Sequence, residues 1–159
     1  MAARLAYKVL SGGVMTVSTF CNIYVVVEHV AEFTVLYGPS MVPTFNAKKD
    51  GDWIITEHLS AKFKTIKKGD VVIVRSPEDP KCLLCKRIAA MSGDRVTTDK
   101  EEEFKIPKGH VWLLGDNPNW SRDSRHFGAV PYGLIRGRAC FKVWPLTEFG
   151  KVQNLFNIK

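Results

Sequence analysis

From Phe33 onward the apolar residues of this chain come in short runs separated by Gly, Pro and Asp, and no run sustains a helical period. Phe33-Thr34-Val35-Leu36-Tyr37, Trp53-Ile54-Ile55-Thr56, Val71-Val72-Ile73-Val74 and Leu83 to Met91 each read as strands. Arg95-Val96-Thr97-Thr98, Val111-Trp112-Leu113-Leu114 and Leu134 to Val143 complete the series. The breaks, among them Asp50-Gly51, Lys68-Gly69-Asp70 and Ser92-Gly93-Asp94, carry turn chemistry. This pattern predicts a mainly β fold, an antiparallel β-domain in which Arg95 to Thr98 pairs back on Leu83 to Met91. There is no internal repeat and no low-complexity linker.

The N-terminal stretch is different. Val9 to Val27 carries no charge; Arg4 and Lys8 precede it, and Glu28 and Glu32 follow. About 20 residues cross a bilayer as a helix. Ser11, Gly12, Gly13, Thr16, Ser18, Thr19 and Asn22 dilute the stretch, so its insertion energy is marginal. Gly12, Gly13 and Thr16 would let a second helix approach closely. A cleaved signal peptide and a soluble amphipathic helix are the alternatives, but signal h-regions are more compact, and no Ala-x-Ala exit precedes residue 40. The expected organisation is a membrane-anchoring helix over 1–30, a β-domain over 31–150 and a tail over 151–159. Arg4 and Lys8 would keep the N-terminus on the positive-inside face and send the remainder across.

Composition narrows the classes. At 159 residues with 45% hydrophobic content, the chain builds one cored domain plus an extension, and wholesale disorder is excluded. A net charge of +7 suits nucleic acid, an anionic membrane or simply a solvated face, and Lys62-Phe63-Lys64-Thr65-Ile66-Lys67-Lys68 is either a lipid-facing patch or an exposed loop kept soluble by its lysines. Phe63 is the only aromatic there, too little stacking surface to favour nucleic acid. The four cysteines are too few for a disulfide scaffold. Cys82 and Cys85 form half of a zinc pattern with no second half, so no metal or other cofactor is expected.

Three polar segments carry chemistry. Pro39 and Pro43 bracket Ser40 and restrict the backbone around it, as a nucleophile presented at a fixed angle requires. Gly38 would allow a substrate strand to come close. Lys86, between Leu84 and Ile88 on one strand face, can serve as a base if burial lowers its pKa, whereas an ordinary lysine near 10.4 cannot. Cys85 and Arg87 point to the other face. Ser121 can hold the lysine amine, Asp123 and Arg125 can pair, and Asp116-Asn117 can satisfy loop backbone. Each segment alone also reads as an ordinary turn or surface strand; together they point to a serine–lysine hydrolase.

Gly38-Pro39-Ser40-Met41-x-Pro43-Thr44, Gly69-Asp70-Val71-Val72, Lys86-Arg87-Ile88-x4-Ser92-Gly93-Asp94-x-Val96 and Gly115-Asp116-Asn117-x3-Ser121-x-Asp123-Ser124-Arg125-x-Phe127-Gly128 resemble, in order, the boxes of the type I signal peptidase family. The short length, the Gly-Pro-Ser-Met form and the ending from Val130 to Arg138 resemble its mitochondrial inner-membrane branch. The resemblance implies that Ser40 is nucleophile and Lys86 general base, that Ser121 bonds the lysine, and that Asp123 and Arg125 support the site. It places Gly38 and Met41 in the substrate cleft. It further implies precursor-protein substrates, attachment to membrane lipid at the mitochondrial inner membrane with the catalytic domain facing the intermembrane space, and a related second protease subunit as partner. Bacterial relatives carry a serine where this chain has Gly38, which leaves the oxyanion to backbone donors or to another group. A general secretory signal peptidase and a non-enzymatic basic β-module are the rival expectations.

Overall fold

The structure, a computed structural model, describes residues 2–46, 51–97 and 102–154, with side chains over those ranges except 2–11 and 26–28. Helix α1 (Ala2–His29) runs into strand β1 (Ala31–Leu36) through Val30. Then follow β2 (Asp52–Glu57), the single-turn helix α2 (Leu59–Lys62), β3 (Val71–Arg75) and β4 (Leu83–Met91). Short strands β5 (Arg95–Thr97) and β6 (Glu103–Lys105) precede β7 (His110–Leu114), the single-turn helix α3 (Ser124–Phe127) and β8 (Val130–Pro131). Strands β9 (Ile135–Trp144) and β10 (Gly150–Lys151) close the described chain. Residues 155–159 of the expected tail lie outside the described residues.

The main sheet is antiparallel in the order β1-β2-β9-β3-β4-β7-β8, with β10 on β9. Strand β3 explains why Val71 to Val74 is uninterrupted hydrophobic sequence: both of its faces are covered. Val72 and Val74 join Ile88, Val111, Leu113 and Val130 in one core, while Val71 and Ile73 join Leu36, Met41, Phe45 and Ile54 in another. Burying side chains of this size stabilises by about 1.5–3 kcal/mol each.

One sequence expectation needs correction. Strand β5 pairs with β6 in its own hairpin, and β4 pairs at that end with β7, Met91 opposite Val111. The cause is local. Asp94 Oδ2 accepts from the Met91 N–H, Gly93 takes φ +91°, and Gly93 and Asp94 bond to Ile106, so the chain leaves the sheet. The expected anchor segment is a helix. At 1.5 Å per residue a helix of this length, 28 residues, reaches about 42 Å, enough to span a bilayer. Among the described residues no helix is long and apolar enough to cross a membrane.

Every described side chain of α1 from Gly12 to Val25 is exposed, so the helix stands clear of the sheet. Its polar groups turn inward onto their own backbone: Thr16 donates to the Gly13 carbonyl, Thr19 to Met15 and Asn22 to Ser18. The β1-β2-β9 part of the sheet also shows an aromatic surface. Phe33, Ile55 and Phe141 are cross-strand neighbours, as are Val35, Trp53 and Trp144, and all four aromatics are exposed.

Candidate active site

Three segments far apart in the chain meet near the end of β1. After Leu36 enters the core, Gly38 adopts φ +92°, a region that side-chain-bearing residues rarely occupy. A serine at this position would be strained. The chain then forms a 3₁₀ turn, Pro39–Met41, which presents Ser40, while Met41 is packed into the core and only 2% exposed. Asn46 holds this turn: its Nδ2 donates to the Gly38 carbonyl at 2.9 Å, and it exchanges hydrogen bonds with Asp52 at 2.8 and 3.0 Å.

The segment after β7 closes over the turn from the other side. The Asn117 N–H donates to the Ser40 carbonyl and its Nδ2 to the Pro39 carbonyl, both at 3.1 Å. Gly115 sits tightly between the two segments. A Cβ placed there would lie 2.2 Å from Ser121 Oγ and 2.6 Å from the Ser40 carbonyl oxygen.

Asp123 is the hub behind this contact. Fully buried, it accepts from the Gly115 N–H at 3.0 Å, from Ser121 Oγ at 2.7 Å and from Arg125 Nε and Nη2 at 2.9 Å. It also caps α3 by accepting from the Arg125 N–H. Burial alone would raise its carboxyl, but donation from Arg125, Gly115 and Ser121 outweighs burial and holds the pKa at about 2. Ser121 thus donates its hydroxyl hydrogen bond to Asp123 in this structure; the sequence reading has it bonding the Lys86 amine.

Lys86 lies on β4 opposite Val72 of β3, with 3% exposure. Burial is the main cause that pushes its ammonium below the usual lysine value; Cys85, Asp123 and Asp116 oppose that shift, and Arg125 adds to it. Burial pushes the neighbouring Cys85 thiol up to about 12, so it stands as a neutral wall. Ser40 and Lys86 line a single cleft of about 290 Å³, together with Gly38, Met41, Ile73 and Cys85. Ser121, Asp123 and Arg125 are outside that lining and act on it through Gly115 and the Ser40 backbone.

The sequence reading missed the contact that ties these parts together. It gave Arg87 no partner and Asp116 only a loop role. Arg87 and Asp116 form a buried two-point ion pair, Nε–Oδ1 2.8 Å and Nη2–Oδ2 2.6 Å. The same guanidinium donates to the carbonyls of Gly69 and Gln153, and Thr44 of the serine segment donates to Asp116. A lysine and an arginine side by side in an apolar run is the signal that was available. Two buried cations on adjacent residues find two different solutions: Arg87 is paired, and burial lowers the pKa of Lys86.

A lysine whose charge burial disfavours thus shares a cleft with Ser40, the combination that serine–lysine hydrolysis requires. The family model for signal peptidase, peptidase S26, matches residues 10–102 and 97–144. The chain belongs to this signal peptidase family, and it is a peptidase of that type. It is 47% identical over 140 residues to the mitochondrial ATP-independent inner membrane protease subunit 1a of Arabidopsis thaliana, covering 84% of this chain and 82% of the relative. It is 45% identical to the human mitochondrial inner membrane protease subunit 1, covering 85% and 82% of the two chains. A crystal structure of a signal peptidase I from Enterococcus faecalis V583 is 20% identical with a TM-score of 0.39, covering 46% of this chain and 95% of that one.

Proposed function

We propose that this chain is a membrane-attached serine endopeptidase that removes N-terminal sorting segments from proteins delivered to the mitochondrial intermembrane space. The observation that carries the reading is the cleft in which Ser40 meets a lysine whose charge burial disfavours. Neutral Lys86 takes the proton of Ser40 as Oγ attacks the scissile carbonyl carbon. The resulting oxyanion accepts from backbone donors at the serine turn, among them the Ser40 N–H; one such donor is worth on the order of 3 kcal/mol. Lys86 then protonates the leaving amine. Water, losing a proton to Lys86, attacks the acyl ester; the bond between the acyl carbon and Ser40 Oγ breaks, and Lys86 returns that proton to Ser40 Oγ. Gly38 and Met41 shape the cleft, and Ser121, Asp123 and Arg125 keep the serine turn and the lysine in register. These steps use only side chains, backbone and water.

Relatives named mitochondrial inner membrane protease support the location. Attachment to the membrane is supported by α1, whose polar side chains bond to their own helix, and by the aromatic sheet face, since Trp and related rings favour the headgroup level. A second helix packed on Gly12, Gly13 and Thr16 fits the proposal of a related partner subunit. A zebrafish (Danio rerio) relative, 31% identical over 132 residues, is named mitochondrial inner membrane protease subunit 2. The catalytic domain would face the intermembrane space.

The test is precursor cleavage by the full chain with its partner present, comparing the unsubstituted protein with Ser40→Ala and Lys86→Ala. Both substitutions should abolish processing while melting stays cooperative. Full cleavage by either variant ends the proposal.

A further inference from the structure

The basic run noted in the sequence is only partly used by the fold: Ile66 enters the core, and Lys67 donates its backbone N–H to Asp70. Lys62 and Lys64 are left at the surface, and both line a second cavity of about 600 Å³ remote from Ser40. This cavity lies where α1 meets the sheet, because its wall includes His29, the last residue of the helix. Arg136 and His58 complete the polar part of the wall, with Ala61, Tyr132 and Ile135 apolar. No carboxylate is among the lining residues. Glu32, immediately behind, is engaged by Arg136 through two bonds of 2.9 Å. His58 bonds the Arg136 carbonyl through Nδ1, while its buried Nε2 makes no hydrogen bond and lies 3.9 Å from Glu32 Oε1. Beside the cavity Phe63 is 67% exposed, next to two lysines that make no ion pair among the described residues.

We infer that this cavity is a binding site for the phosphate headgroup of an anionic membrane phospholipid. A phosphate needs donors and a positive field, which Lys62 and Lys64 supply on the cavity wall. Commitment to a lipid source follows from position. The site opens at the foot of the exposed helix, and an exposed aromatic ring flanks the cations, the pairing expected of a segment at headgroup depth. The inference rests on the proposed membrane attachment and adds a specific headgroup contact to it. Its effect would be to fix the height and tilt of the domain above the bilayer.

The test uses the full chain with vesicles of phosphatidylcholine alone and of equal parts phosphatidylcholine and phosphatidic acid, read by flotation. Anionic vesicles should be preferred. Lys62→Gln with Lys64→Gln should reduce that preference by roughly 25-fold, about fivefold per lysine near such a surface. Lys81→Gln with Lys105→Gln, which lie outside the cavity, should change it far less. Equal loss in the two pairs would reduce the effect to diffuse charge and overturn the site, as would no loss in the first pair. A melting shift on inorganic phosphate that needs Lys62 and Lys64, without any vesicle preference, would overturn the lipid source. Precursor cleavage in detergent is measured on the same samples and should be unchanged in both pairs. Equal binding of the unsubstituted chain to both vesicles sinks the headgroup site alone; binding to neither sinks the membrane attachment as well.

Discussion

Replacing Gly115 with alanine puts a methyl group where Ser121 and the Ser40 backbone already are. The added carbon would sit 2.2 Å from Ser121 Oγ, 2.5 Å from Ser121 Cβ and 2.6 Å from the Ser40 carbonyl oxygen. A side-chain oxygen can rotate away, but a carbonyl held by the Asn117 N–H cannot move without moving the serine turn. Ser121 is no freer, since its hydroxyl is bonded to Asp123 at 2.7 Å. Relief therefore requires displacement of the turn by on the order of 1 Å. Overpacking of this kind costs about 1–3 kcal/mol of stability. For a chain of this size that lowers the melting temperature by roughly 2–4 °C per kcal/mol. A reacting atom displaced by about 1 Å loses on the order of 100-fold in rate. Gly115→Ala should thus lose about two decades of kcat on a precursor or quenched peptide while remaining folded. Gly150→Ala, where an added Cβ meets nothing within 4 Å, is the control and should leave both measurements unchanged. If Gly115→Ala retains kcat to within about threefold, the account of how the two segments position Ser40 is wrong.

Further outcomes follow from the charges. Because burial lowers the Lys86 pKa in the folded chain, the unfolded chain binds more protons between that value and the usual 10.5, so stability rises with pH across that window. Lys86→Met should remove this slope and stabilise the protein below the window, by on the order of 1 kcal/mol, in denaturant titrations at several pH values. Peptidase activity should climb as Lys86 loses its proton, at a pH below 10.5. Asp123, held near 2 against an ordinary 3.8, contributes stability that is complete above pH 3.8 and lost as pH falls through about 2. Asp123→Asn should flatten that acid limb and cost about 3 kcal/mol at neutral pH, since Arg125 loses its buried partner. Arg87→Met leaves Asp116 buried and unpaired, so its urea midpoint should fall by the equivalent of about 3–5 kcal/mol. Arg87→Lys should recover only part of this, because an ammonium cannot make the two-point contact.

What the sequence could determine was whatever repeats locally. Strand β4 is read at Leu83 to Met91 with its observed bounds, and the uninterrupted Val71 to Val74 run is a strand because both of its faces are covered. The polar segments around Ser40, Lys86 and Ser121 were legible because such groups are costly within apolar surroundings and stand out there. Pairing was not legible: β5 abandons β4 for β6 because Gly93 and Asp94 bond to Ile106, residues brought near only by the fold. Nor could the sequence show that Arg87 finds Asp116, that Asn46 holds Gly38, or that His29, Lys62 and Arg136 enclose one cavity. Strand period and turn chemistry are set by a residue and its immediate neighbours. Which buried cation is paired and which is left to lose its proton depends on groups tens of residues away, and only the assembled sheet brings them within reach.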